Sequence, residues 1–159
     1  MTNRTENRFP NLISTWFGCG YAPVAPGTAG SLAGLAIGIA LHEGAGFSWW
    51  LFVLMSAALF PAAVWAATRT ARALGVKDPG CVVVDEVIGQ WIALAGAHPF
   101  NWKSYAAAFV LFRLFDIWKP APVRQLERLP EGLGIVADDV MAGGYAAAVL
   151  WVGGWFRLY

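Results

Sequence analysis

Apolar residues in this chain gather into five runs, at positions 29–41, 47–67, 87–97, 104–117 and 140–156. The run at 47–67, FSWWLFVLMSAALFPAAVWAA, carries no charge and is long enough to cross ~30 Å of hydrocarbon as a helix. Its Pro61 is expected to kink that helix without ending it, because neighbouring helices can re-satisfy the freed carbonyl. The 11- to 14-residue runs fit buried helices or partial spans as well as full crossings. The pattern predicts an all-α fold, a small multi-pass helical membrane protein with four to five apolar helices. Residues 1–159 would form a single domain, with a polar tail at 1–10.

Composition strengthens the membrane assignment. Hydrophobic residues make up 58% and charged residues 13%, the latter about half the ~25% usual in soluble domains. Mean hydropathy is +0.54. A net charge of +1 without a basic patch argues against a nucleic-acid partner. Cys19 and Cys81 lack metal-ligand spacing and read as reduced thiols. The N-terminal run MTNRTENRFP has no apolar core of the kind a signal peptide needs. Suppose the N-terminus is cytoplasmic and every run crosses. Arg4, Arg8, Arg69, Arg72, Lys77, Lys119, Arg124 and Arg128 then share the cytoplasmic side, against Lys103 and Arg157 opposite, as the positive-inside rule expects.

The acids change the picture more. Of ten Asp and Glu, five lie in apolar settings: Asp85 and Glu86 in CVVVDEVIG, Asp116 in VLFRLFDIWKP, Asp138 and Asp139 in GIVADDVMAGG. The charge-derived topology brings all of them to the cytoplasmic face, with each pair at the start of a helix. Burying a carboxylate is costly unless a cation compensates it. Helix capping explains one acid per helix; a second adjacent acid calls for a bound cation or a retained proton. Oxygen ligands suit a hard cation such as Mg²⁺, which commonly brings phosphate with it. There is also a local echo: VVDEVIG and VADDVMA, the latter followed by Gly143, each send an acidic pair into an apolar helix followed by small, close-packing residues.

Two further motifs have two readings each. In APGTAGS, Gly27, Thr28 and Ser31 open a helix and could present N–H and hydroxyl groups to an anion; equally, Thr28 or Ser31 could be an ordinary N-cap. Asp116 lies three residues from both Arg113 and Lys119, so either a membrane-edge salt bridge or a phosphate-binding pair fits. The six-residue spacing from cysteine to arginine of a cysteine phosphatase loop is missing, since Ala25 and Val87 stand there. His42 and His98 map to the opposite side from the acids, and no Ser-His-Asp set or zinc cluster is visible.

PGTAGSLAG, VVVDEVIGQWIAL and FRLFDIWKPAPVRQLE…GLGIVADDVMAG, in this order and spacing, resemble the phosphatidylglycerophosphatase A family over roughly positions 17–150. The resemblance implies an all-helical, Mg²⁺-dependent lipid phosphatase of the bacterial inner membrane. It would hydrolyse phosphatidylglycerophosphate to phosphatidylglycerol and phosphate. Combining residues and resemblance, Asp85, Glu86, Asp138, Asp139 and Asp116 are expected to hold one or two Mg²⁺ and carry the catalysis. Lys119 and Arg113, with Gly27, Thr28 and Ser31, would bind the substrate phosphate. The expected partners are the bilayer and its phospholipid, with the active site facing the cytoplasm; oligomeric state is left open. The competing reading is a small transporter whose acids couple cations or protons. A third is a scaffold in which the acids pair only with Arg113, Lys119 and Arg124.

Overall fold

The computed structural model describes residues 8–159, so Arg4 of the charge argument lies outside the described residues. These residues form α1 (Arg8–Ser14), a 3-10 turn (Cys19–Tyr21), α2 (Pro26–Ala45), α3 (Trp49–Leu74), α4 (Val84–Ala95), α5 (Trp102–Trp118), α6 (Val123–Leu126) and α7 (Glu131–Trp155). No strand occurs among the described residues, in agreement with the all-α expectation.

The shortest of the five main helices is the centre of the bundle. Helix α4 packs against α2, α3, α5 and α7, and Val84, Val87, Ile88, Ala93 and Leu94 along it are fully buried. Such all-round apolar character is what a central helix needs. At 12 residues it rises only about 18 Å, too short to cross a bilayer. Among the described residues two helices, α3 and α7, are long and apolar enough to do so, so four to five spans are not reached there by this measure. Only 28% of the apolar window of α3 is buried. Its Trp49, Trp50, Val53 and Leu54 face outwards, which suits a helix that meets lipid.

Local signals set the helix ends. Pro61 sits inside α3, which continues through it as expected. Gly46 and Gly75, both with left-handed φ, close α2 and α3 by donating to carbonyls in the last turn. Asn101 and Ser104 cap α5 reciprocally. Helix α7 differs from the sequence expectation. It begins at Glu131, well before the apolar run at 140, so Asp138 and Asp139 stand inside the helix, the latter roughly 12 Å from its start. Two charges in sequence look like a boundary, yet the preceding Gly132, Gly134, Ile135 and Val136 are all buried. The Gly132 N–H donates to Thr68 Oγ1 of α3 at 3.0 Å. Packing against α3 therefore extends the helix past the point where hydropathy stops.

Candidate active site

Backbone contact between α4 and α7 builds the site. A Cβ at Gly143 would sit against the Gly89 carbonyl oxygen, and one at Gly89 would lie 2.8 Å from the Asp139 carbonyl oxygen. The glycines after the two acidic pairs are thus the crossing point, and the echo in the sequence reflects it. Gly96 repeats the arrangement against Ala147 farther along. The close approach brings Asp85 and Glu86, in the first turn of α4, to Asp139 on α7. Ligand atoms of these three carboxylates lie within 4.8 Å of one another. Asp85 is 7% and Asp139 4% exposed.

One oxygen of each carboxylate in this cluster lacks a partner. Asp85 Oδ1, Glu86 Oε2 and Asp139 Oδ2 are buried without a hydrogen bond. Three crowded carboxylates in apolar surroundings repel one another, and a cation among them removes both penalties. The donors are all oxygen, so the set fits a hard divalent ion. Neither member of the Asp138–Asp139 pair caps a helix, because Pro130 is the N-cap of α7. Val83 is the N-cap of α4, without a side-chain cap bond.

The remaining two acids hold cations. Arg113 Nη1 donates to Asp116 Oδ2 at 2.6 Å and lies 4.0 Å from Glu86 Oε1. Its buried Nε has no acceptor. Lys119 does not pair with Asp116 as the helical spacing had allowed. It terminates α5 with a left-handed φ of 48°, and its Nζ instead donates to Asp138 Oδ2 at 2.8 Å. Glu127 Oε2 lies 3.4 Å from the same nitrogen. Burial alone would lower the Lys119 pKa, but the hydrogen bond and charge of Asp138, with Glu127 and Asp116, raise it above its ordinary value. The ammonium therefore stays charged at neutral pH.

Helix α2 closes the third side. Its N-cap, Ala25, adopts a left-handed φ of 47° and Pro26 is the first helical residue. Neither Thr28 nor Ser31 is the cap, which corrects that alternative. Ser31 is fully buried, and its hydroxyl donates to the Gly27 carbonyl at 2.9 Å, so it braces its own helix. Gly27 does reach the cluster: a Cβ there would collide with Glu86 Oε1 and lie 3.4 Å from Arg113 Nη1. The first-turn N–H groups of Gly27 and Thr28 have no acceptor within their helix. Gly27→Ala is therefore expected to lower phosphatase activity about tenfold to a hundredfold with little change in melting temperature. The added methyl meets the side-chain ends of Glu86 and Arg113 first, not backbone. Parallel assays of phosphate release and thermal unfolding check this, and equal losses in both would contradict it.

Three polar residues near the site were not singled out from the sequence: Glu127, Gln90 and Asp78, the last in the loop before α4 and within reach of the charges of Lys119, Glu127 and Asp116. Glu127 comes from the loop after α6, with no local pattern tying it to Lys119. Gln90 is fully buried with both amide atoms unpartnered. Its signal was available, since it interrupts the apolar run of α4 one turn beyond Glu86. His42, at the far end of α2, contacts the Phe47 carbonyl and the Phe100 ring, consistent with its placement away from the acids.

The profile of the phosphatidylglycerophosphatase A family matches residues 12–153. The chain belongs to that family. The phosphatidylglycerophosphatase A of Escherichia coli is 37% identical over 89% of this chain and 81% of its own length. The protein of the same name from Haemophilus influenzae is 40% identical over 88% and 85%. A protein of Bacteroides thetaiotaomicron with the provisional name phosphatidylinositol-3-phosphatase is 45% identical over 92% and 94%. No solved structure matches. Membership in the phosphatidylglycerophosphatase A family makes the chain a lipid phosphatase and decides for the enzyme over the transporter. The acid cluster fits a cation, and Arg113 and the first turn of α2 lie beside it.

Proposed function

We propose that the chain hydrolyses phosphatidylglycerophosphate to phosphatidylglycerol and phosphate, with residues 1–159 acting as one domain and Mg²⁺ as the cofactor. The observation that carries this reading is the set of partnerless buried oxygens on Asp85, Glu86 and Asp139 beside Arg113, with a fourth, Oδ1, on the adjacent Asp138. These three acids would hold the ion, which when bound supplies positive charge and Lewis acidity to the phosphate. Asp116 and Asp138 are positioning residues that aim Arg113 and Lys119. Arg113 Nε, Lys119 and the N–H groups of Gly27 and Thr28 bind the phosphoryl oxygens and neutralise the charge that develops as water adds and the glycerol oxygen leaves. Ser31 supports the Gly27 turn from within its helix.

The acyl chains remain in the bilayer against the apolar outer surface, so only the headgroup enters. Exposed Trp49, Trp50, Trp102 and Trp155 mark one end of the bundle and Trp118 the other, the usual depth markers of the two interfaces. The basic residues gather at the acid end, which argues for a multi-pass protein of the inner membrane with its site facing the cytoplasm. The Bacteroides relative supports a second substrate, phosphatidylinositol 3-phosphate, because it is 45% identical over nearly its whole length. The test is phosphate release from each lipid by the purified protein in detergent, with Mg²⁺ or with chelator. Mg²⁺-dependent release, preferring phosphatidylglycerophosphate, is expected. A preference for the inositol lipid would reassign the substrate, and activity undiminished by chelator would overturn the metal assignment.

A further inference from the structure

A basic cavity shares Lys119 with the Lys119–Asp138 pair. The loop after α5 and helix α6 form a cavity of about 410 Å³ lined by Trp118, Lys119, Arg124, Gln125 and Arg128, with no acidic residue in its wall. Its size falls within the range of small-molecule sites. Arg124 and Arg128 make no ion pair among the described residues, so their donors are free. The wall is firmly seated: Val123 of α6 is fully buried, and Tyr145 of α7 donates its hydroxyl to the Ala121 carbonyl at 2.8 Å. Lys119 belongs to both places, lining the cavity while bonded to Asp138. Trp118 is 63% exposed at the rim. A tryptophan there marks the interfacial depth at which lipid phosphodiesters lie.

We propose that this cavity binds the phosphodiester of the lipid headgroup while the monoester phosphate occupies the acid cluster. The inference rests on the lipid-phosphatase reading above and extends it to substrate selection. A phosphatidyl lipid carrying a further phosphate presents two anions joined by a short polyol. Arg124 and Arg128 take the diester that is kept, Arg113 and the cation site take the ester that is cleaved, and Lys119 lies between them. Guanidinium groups suit phosphate oxygens through paired N–H donors. Lipid monoesters that lack the diester forgo these contacts and are poorer substrates.

The test compares wild type with an Arg124→Gln/Arg128→Gln double variant in neutral detergent micelles. Substrates are phosphatidylglycerophosphate and phosphatidic acid, a lipid monoester without the diester. The ratio of their kcat/KM values is expected to fall about tenfold in the variant, mainly through KM for the diester-bearing lipid. An unchanged ratio overturns the proposal, because general attraction to anionic lipid or partial misfolding weakens both substrates alike. A binding arm needs no turnover. Phosphatidylglycerol, which has only the diester, should bind wild type about tenfold more tightly than the variant, and inorganic phosphate should show no such difference. Arginine-dependent binding of inorganic phosphate alone would mean a free-phosphate site and sink the lipid assignment. Because this arm reads binding only, it stands even where neither lipid is hydrolysed and the catalytic reading has failed.

Discussion

Asp139→Asn is expected to reduce phosphate release by on the order of 10³-fold while leaving the metal-free protein as stable as wild type, or more so. Both halves follow from the same geometry. Asp139 is 4% exposed, and its Oδ2 has no partner within the protein. It shares a 4.8 Å cluster with Asp85 and Glu86. Without a cation the negative charge at Asp139 is a burden, and an amide of the same shape relieves repulsion with its neighbours. With a cation, the same charge is a ligand. Its loss removes several kcal/mol of transition-state stabilisation, and each ~1.4 kcal/mol is tenfold in rate. The measurement is a pair of melting curves, with Mg²⁺ and with chelator, beside the activity assay. Wild type should gain melting temperature with Mg²⁺, and the variant should not. A variant that melts lower than wild type regardless of metal would assign Asp139 to folding, as the scaffold reading requires.

How much of this site could be read from the sequence differs from residue to residue. Asp85 and Glu86 were legible because their apolar surroundings leave few reasons for two adjacent acids. The asymmetry of Lys and Arg along the chain places them on the same face as Asp116 and the Asp138–Asp139 pair, and α4, α5 and α7 do pack together. The ion pairs of Asp116 and Asp138 were not legible. Asp116 and Asp138 look like the others along the chain. They differ only because Arg113 lies one turn back on the same helix and Lys119 leaves its helix in a left-handed turn toward α7. Helical spacing predicts partners within an element, and Lys119 finds its partner across two. The start of α7 was missed for a related reason. Hydropathy treats Asp138 and Asp139 as an edge, whereas packing of Gly132 against α3 carries the helix through them. The all-α class survived these errors because the apolar runs fix helices wherever their exact ends fall.

The glycine crossing gives the other large effect, with a control in the adjacent residue. Gly143→Val is expected to lower activity about a hundredfold and to destabilise the fold by about 1–3 kcal/mol. Gly144→Ala should leave activity unchanged and gain up to about 1 kcal/mol of helix stability. A Cβ at Gly143 meets the Gly89 backbone, with the carbonyl oxygen nearest and the carbonyl carbon at 3.1 Å, while one at Gly144 meets nothing within 4 Å. Backbone cannot swing aside as a side chain can, so α7 must move away from α4. Asp139 moves with it, and the distance to Asp85 and Glu86 opens. Misplacing a reacting group by about 1 Å is enough for a hundredfold loss. Thermal unfolding and phosphate release on the two variants separate the cases. Equal behaviour of the pair would show that general loss of glycine, not the crossing, matters. A Gly143→Val protein that is destabilised yet fully active would show that the cluster tolerates helix displacement, and the link from packing to chemistry would then fail.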